Sequence, residues 1–313
     1  MALVEVSLRI TISFCHSQFC SLLHTSKCLW KFVKTKIQNM NKAILMMIGI
    51  FTLSNIQAQE KWIFKSEYLS HPDTVLVFKP KTYNKTFKYP LVYLLHGYSE
   101  NYKQWSQTTD LQKLADQYGF IIVTPDGYIS YYINSPVDKG SRYEDFFFKD
   151  LVPKVHSSFN VDKKNIFISG LSMGGYGALR YFILHPDYFN TAGSMSGALE
   201  ISYPNFQKVS RHFWQSNRMT DDLVRNLGNP KTADWNKYSI STLLKESINF
   251  KKPFIFDCGM EDVLYSNSLN LKQLTDRLKI PATFISQPGD HNTGYWSKSI
   301  EQHFVYFKQH IKL

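Results

Sequence analysis

The stretch Asn165-Ile-Phe-Ile-Ser-Gly-Leu-Ser-Met-Gly-Gly-Tyr-Gly-Ala-Leu179 decides the reading of this chain. Its first part, Ile166 to Ser169, is apolar and rich in β-branched residues, as a buried strand is. Gly170-Leu-Ser-Met-Gly174 follows, and then a small-residue helical pattern. A strand, a sharp turn and a helix, with Ser172 at the turn, is the arrangement of a nucleophile elbow. Such a turn is tight, so the positions two before and two after the serine must be small. Gly170 and Gly174 meet that demand. The helix N-terminus behind Ser172 favours negative charge developing beside it. A bare G-x-S-x-G string also fits an ordinary glycine-rich turn; the strand before it and the helix after it favour the elbow.

An elbow makes demands on the rest of the chain. The serine should be followed by an acid and then a histidine, each in a loop that closes a strand. Pro253-Phe-Ile-Phe-Asp-Cys-Gly259 reads as a strand, and Met260-Glu-Asp262 follows it. Ala282-Thr-Phe-Ile-Ser286 reads as another, ending in the loop Gln287-Pro-Gly-Asp-His291. The expected triad is therefore Ser172, Asp262 and His291, with Glu261 the main competitor for the acid and Asp290 a distant one. Asp257 falls inside an apolar strand and reads as structural. The oxyanion hole needs two backbone N–H groups. One belongs to Met173, the residue after the nucleophile. The other is expected from Tyr98, because Leu91-Val-Tyr-Leu-Leu-His-Gly97 is a buried-strand pattern whose closing Gly97 lets the backbone bend toward substrate. His96 reads as a core histidine that holds its loop.

With these residues in place the chain resembles a known family. His96-Gly-Tyr-Ser-Glu100 with Trp105, Gly170 to Ala178, Ser196-Gly197, Cys258-Gly-Met-Glu-Asp262, and Gly289-Asp-His291 with Trp296 are similar to the esterase family of the α/β-hydrolase superfamily. That family takes in esterase D (S-formylglutathione hydrolase), feruloyl and acetyl-xylan esterases, tributyrin esterases and mycolyltransferases. The resemblance runs from about Trp62 to the C-terminus. It implies serine-hydrolase chemistry, Asp262 as the acid, and Tyr98 and Met173 as the oxyanion donors. It does not specify a substrate.

The remaining segments alternate as an α/β protein should. Residues 61–69 and 74–79 read as an early hairpin at a sheet edge, and 120–124 as a buried strand. Residues 110–118, 264–278 and 295–311 read as helices, the first capped at Thr109 or Asp110. Residues 143–159 form a helix that Pro153 should kink. The right-handed crossover rule makes the central sheet mostly parallel and flanked by helices. Residues 200–239, with Phe206, Phe213, Trp214 and Trp235, read as a small helical cap over the elbow. The tyrosine-rich loop Asp126-Gly-Tyr-Ile-Ser-Tyr-Tyr-Ile-Asn134 is expected to bind substrate through Tyr131, Tyr132 and Asn134, with Trp214 contributed by the cap.

Composition bounds the biology. The chain has 313 residues, of which 43% are hydrophobic, enough for a sizeable core. Met40-Asn-Lys42, an apolar run to Leu53 and Ser-Asn-Ile-Gln-Ala58 form the three parts of a secretory signal peptide. The run is too short to span a bilayer. Residues 1–39 show no globular pattern and read as a non-native or disordered extension, with Met40 the natural start. The esterase domain is then 59–313, periplasmic or secreted, with no stable membrane insertion once the signal is removed. Residues 1–58 carry six basic side chains and one acidic, so their loss lowers the formal charge from +11 to +6. No basic cluster points to nucleic acid. No cofactor motif or metal-spaced His/Cys set is present, so none is expected. Only Cys258 remains after residue 58, which leaves no internal disulfide. The reaction expected is hydrolysis of a small-molecule or polysaccharide ester, feruloyl or acetyl. Acyl transfer to a sugar and S-formylglutathione hydrolysis are the alternatives. A peptidase with a propeller would need a longer chain, and a non-enzymatic scaffold would not need all three triad positions filled.

Overall fold

The computed structural model describes residues 59–313, so the expectations for 1–39 and for a signal at 40–58 lie outside the described residues. Eight strands form one sheet: β1 (Gln59–Phe64), β2 (Asp73–Phe78), β3 (Tyr89–Leu95), β4 (Ile121–Pro125), β5 (Val161–Gly170), β6 (Thr191–Met195), β7 (Phe254–Gly259) and β8 (Ala282–Gln287). Their order is β1-β2-β4-β3-β5-β6-β7-β8. β1 and β2 pair antiparallel at one edge, β2 meets β4 antiparallel, and all later neighbours are parallel. β1 ends at Phe64 rather than running to residue 69. Beyond it Ser70 N–H bonds to the Gly140 carbonyl and Leu69 bridges Ser141, so this segment is held by the 140 loop instead of by β2.

Both faces of the sheet are covered, which is why its central strands read as continuous apolar runs. On one face lie α1 (Gln104–Thr108), α2 (Leu111–Tyr118) and the C-terminal α10 (Thr293–Gln309), packing Trp105, Leu114, Ile300 and Phe304 against Val92 and Leu94. On the other lie α3 (Tyr143–Phe146), α4 (Val152–Ser158), α5 (Met173–Leu184), α8 (Ile240–Glu246) and α9 (Tyr265–Arg277), against Leu91, Tyr93 and Ile168. Asp110 caps α2, its Oδ1 accepting from Lys113 N–H at 2.9 Å. The expected kink at Pro153 takes the form of a π turn, Phe147–Leu151, between α3 and α4. Proline has no N–H for the usual bond, and the Val152 amide reaches back to the Phe147 carbonyl. Between β6 and β7 stand the cap helices α6 (Tyr203–Trp214) and α7 (Arg218–Leu227), with a short 3-10 turn, Asn236–Tyr238.

Candidate active site

The elbow forms where β5 runs into α5. Ser172 sits at φ 53° and ψ −116°, a conformation few non-glycine residues adopt. The glycines around it provide space. A methyl at Gly170 would lie 2.8 Å from the Leu95 carbonyl oxygen, and one at Gly174 would lie 2.7 Å from that of His96. Any side chain there would force the elbow away from β3. Gly97 acts in the same way and not through an unusual φ, which corrects the expectation of a backbone bend. A methyl there would meet Leu171 Cδ1 at 2.7 Å and Ser172 Cβ at 3.6 Å. The smallness of Gly97 thus lets the end of β3 lie against the serine.

The structure brings Ser172, His291 and Asp262 together from three loops. Ser172 Oγ donates to His291 Nε2 at 3.0 Å, and His291 Nδ1–H donates to Asp262 Oδ2 at 2.8 Å. Asp262 Oδ1 accepts from Leu264 N–H at 2.8 Å. Burial pushes the Asp262 carboxyl up. The His291 hydrogen bond and charge, with the Leu264 amide and Ser196 hydroxyl, outweigh it and hold the carboxyl below its ordinary value. The competing acids face elsewhere. Glu261 accepts from Gly289 N–H and steadies the histidine loop, and Asp290 accepts from His291 N–H at 2.7 Å. Phe213 and Trp296 flank the His291 ring, each with its centroid 5.0 Å away. Asn292 follows directly and caps α10, its side chain accepting from Tyr295 N–H at 3.0 Å.

The Met173 and Tyr98 amides donate to no acceptor among the described residues, whereas the neighbouring Gly97 N–H is taken by Gln104 Oε1 at 2.7 Å. Met173 follows Ser172 directly, Tyr98 lines the same cavity as Ser172, and the 12-residue α5 directs its positive end there. His96 is the core histidine expected. Its Nδ1–H donates to the Gly97 carbonyl at 2.7 Å, and its Nε2 accepts from Gly127 N–H at 2.6 Å. The loop of Tyr98 and Ser99 is also tied to the cap, which the sequence did not reveal. The Tyr98 hydroxyl donates to Asp222 of α7, and Arg218 donates to Ser99 Oγ at 2.7 Å while lying over the Tyr98 and Trp214 rings. Burial keeps the Tyr98 phenol protonated by pushing its pKa up, against the opposing pull of Arg218.

A cavity of about 360 Å³ opens onto Ser172 and His291. Leu171, Ala198, Val209, Met219 and Leu264 form its aliphatic wall, Tyr98, Phe213, Trp214 and Trp296 its aromatic one, and Glu100, Gln104, Asn292 and Thr293 its polar groups. Trp214 is therefore at the cavity, as expected. Tyr131, Tyr132 and Asn134 are not. Tyr131 and Tyr132 are fully buried. Both have positive φ, 53° and 56°. Tyr131 packs edge-on against Phe206, and Tyr132 donates to the His96 carbonyl at 3.0 Å. Asn134 is engaged by the Asp145 amide at 3.0 Å, at the start of α3. Loop tyrosines and core tyrosines share one alphabet, so composition could not separate them. Phe206 and Trp235 of the cap segment are buried as well.

An eight-stranded, mostly parallel sheet flanked by helices, with a strained serine at the elbow, defines an α/β-hydrolase. The chain belongs to the family described as "Putative esterase", whose model matches residues 66–307, and it is an enzyme acting on carboxylic esters. It is 27% identical to an acetyl esterase of Caldicellulosiruptor saccharolyticus over 225 residues, covering 70% of this chain and 83% of that one. Among solved structures it is similar to a ferulic acid esterase, at 25% identity and a TM-score of 0.67, over 81% of this chain and 98% of the other. The fold also matches the substrate-bound fluorophosphonate-binding serine hydrolase F of Staphylococcus aureus, with a TM-score of 0.69 and 23% identity over 80% and 98% of the two chains.

Proposed function

We propose that the protein is an exported serine carboxylesterase that removes acetyl or feruloyl groups from carbohydrates through an acyl-enzyme on Ser172. The observation that carries this reading is the continuous hydrogen-bond chain from Asp262 through His291 to Ser172, at the edge of a cavity of about 360 Å³. Ser172 Oγ attacks the ester carbonyl carbon while His291 Nε2 takes its proton. Asp262 keeps Nδ1 protonated and steadies the imidazolium that forms. The Met173 and Tyr98 amides receive the oxygen as it becomes negative. His291 then gives its proton to the leaving alcohol. Water enters, loses a proton to Nε2 and attacks the acyl carbon. Collapse of that intermediate releases the acid and restores Ser172. Water is the only co-reactant these steps consume.

The cavity supports the substrate class. Its aliphatic wall suits a short acyl group, Phe213 and Trp214 suit a phenolic ring, and the polar groups suit a hydroxyl-bearing alcohol. The likeness to an acetyl esterase and a ferulic acid esterase points the same way. Export rests on the signal pattern of residues 40–58, with the mature chain starting at Gln59. The test is a substrate panel: p-nitrophenyl esters of rising chain length, methyl ferulate, acetylated xylan and S-formylglutathione, with free sugars added as acceptors. Highest kcat/KM on acetylated xylan or methyl ferulate supports the reading. A preference for S-formylglutathione, or acylated sugar as the main product, overturns it.

A further inference from the structure

Beneath the reacting residues lies a second Ser–His–Asp set that none of the steps above uses. Ser169 Oγ is 2.8 Å from His303 Nδ1, and His303 Nε2 is 2.6 Å from Asp257 Oδ2. The remaining carboxylate oxygen, Asp257 Oδ1, accepts from the Tyr295 hydroxyl at 2.7 Å. His303 thus stands between the serine and the carboxylate, with one ring nitrogen bonded to each. Ser169, Asp257 and His303 are fully buried, so the set cannot meet a substrate. Stability is a poor reason for its presence. Buried polar and ionic sets are often replaced by apolar residues of similar volume without loss. The fold also gives up packing for it. Gly193 lies inside β6, where glycine weakens a strand, and a methyl there would stand 2.7 Å from His303 Cε1 and 2.9 Å from Ser169 Oγ.

The placement of the set suggests what it does. Ser169 precedes Ser172 by three residues at the end of β5. Asp257 precedes Asp262 by five residues, in β7. Tyr295 follows His291 by four residues in the first turn of α10, and His303 stands about two turns further along the same helix. One carboxylate is thus bonded, directly or through one ring, to the supports of all three triad loops. The backbone adds to this link: Ser196 N–H donates to the Asp257 carbonyl at 2.8 Å, and Ser172 N–H donates to the Met195 carbonyl at 2.9 Å. We infer that Ser169, Asp257, Tyr295 and His303 are positioning residues that fix the spacing of the Ser172, Asp262 and His291 loops. The inference rests on the triad reading above.

The test uses Tyr295→Phe and Ser169→Ala, each of which removes one hydrogen bond with little change in volume. A fluorophosphonate endpoint counts competent sites, and the labelling rate, kcat, KM and Tm are then measured on the titrated protein. A misplacement of about 1 Å can cost about 10²-fold in rate. The few tenths of an ångström freed by one lost bond should therefore lower kcat per titrated site about three- to tenfold. KM on p-nitrophenyl acetate should stay within about twofold, and the labelling rate should fall in step with kcat. A lower Tm with unchanged kcat per titrated site would show that the set is only structural and would overturn the inference. Should Tyr295→Phe not fold, Ser169→Ala decides by the same readout. Failure of the triad reading would look different: the wild-type protein would not label at Ser172, or Ser172→Ala would stay active.

Discussion

Replacing Gly174 with alanine tests the elbow, because two physical effects predict opposite signs. Residue 174 is the second residue of α5. Helix propensity alone favours alanine there by about 1 kcal/mol. Sterics oppose it. The added methyl would lie 2.5 Å from the Leu95 carbonyl carbon and 2.7 Å from the His96 oxygen, where ordinary contact begins at 3.4 Å. Relief needs roughly 1 Å of separation between α5 and the end of β3, since interiors are close-packed. All the obstructing atoms are backbone, so no rotamer change can help. Overpacking costs about 1–3 kcal/mol, and we place this site in the upper half. After the helix gain the net loss is about 1–2 kcal/mol, a Tm lower by about 2–8 °C for a chain of this size. The same displacement parts Met173 N–H and Ser172 on one side from Tyr98 N–H on the other. A 1 Å error in such a constellation costs about 10²-fold in kcat. The assay is kcat and KM on p-nitrophenyl acetate for the titrated enzyme, together with thermal unfolding. Wild-type turnover with a raised Tm would refute the steric argument.

Five further outcomes can be measured. Ser172→Ala should lose several orders of magnitude in kcat and keep its Tm, and a fluorophosphonate probe should label Ser172 alone, as peptide mass mapping would establish. Asp262→Asn should slow hydrolysis about 10²- to 10⁴-fold, against less than about tenfold for Glu261→Gln, because only Asp262 touches Nδ1; the reverse ranking would transfer the acid to Glu261. The Asp262 carboxyl is held below its ordinary value, so its stabilising contribution is present above about pH 4 and fades as pH falls through the lower folded value. Urea unfolding from pH 3 to 7 should therefore show the wild-type advantage over Asp262→Asn closing only at the acid end. Cys258 is fully buried and burial pushes its thiol up, so Ellman's reagent should find no reactive thiol in native 59–313 and one after unfolding. Expression in a Gram-negative host should yield an exported protein whose intact mass begins at Gln59; a mass that retains residues 1–58 would refute export by this signal.

Local sterics made much of this protein legible without coordinates. The elbow could be read because its demand for small residues falls on positions two away in sequence, where Gly170 and Gly174 stand. Each strand and its closing loop are likewise contiguous, so the loops carrying Tyr98, Asp262 and His291 could be located in order. Only the tertiary structure decided among neighbours. Glu261 and Asp262 are adjacent, and which one faces Nδ1 depends on how the loop after β7 turns beside the loop after β8. The tyrosine loop reads as a binding loop because the partners that bury it are distant in sequence: Tyr131 packs on Phe206, and Tyr132 donates to the His96 carbonyl 36 positions away. The Tyr98–Asp222 tether and the Asp257–His303 pair join residues 124 and 46 positions apart. Such contacts exist only once the sheet has brought its loops and helices together, and no local pattern of side chains records them.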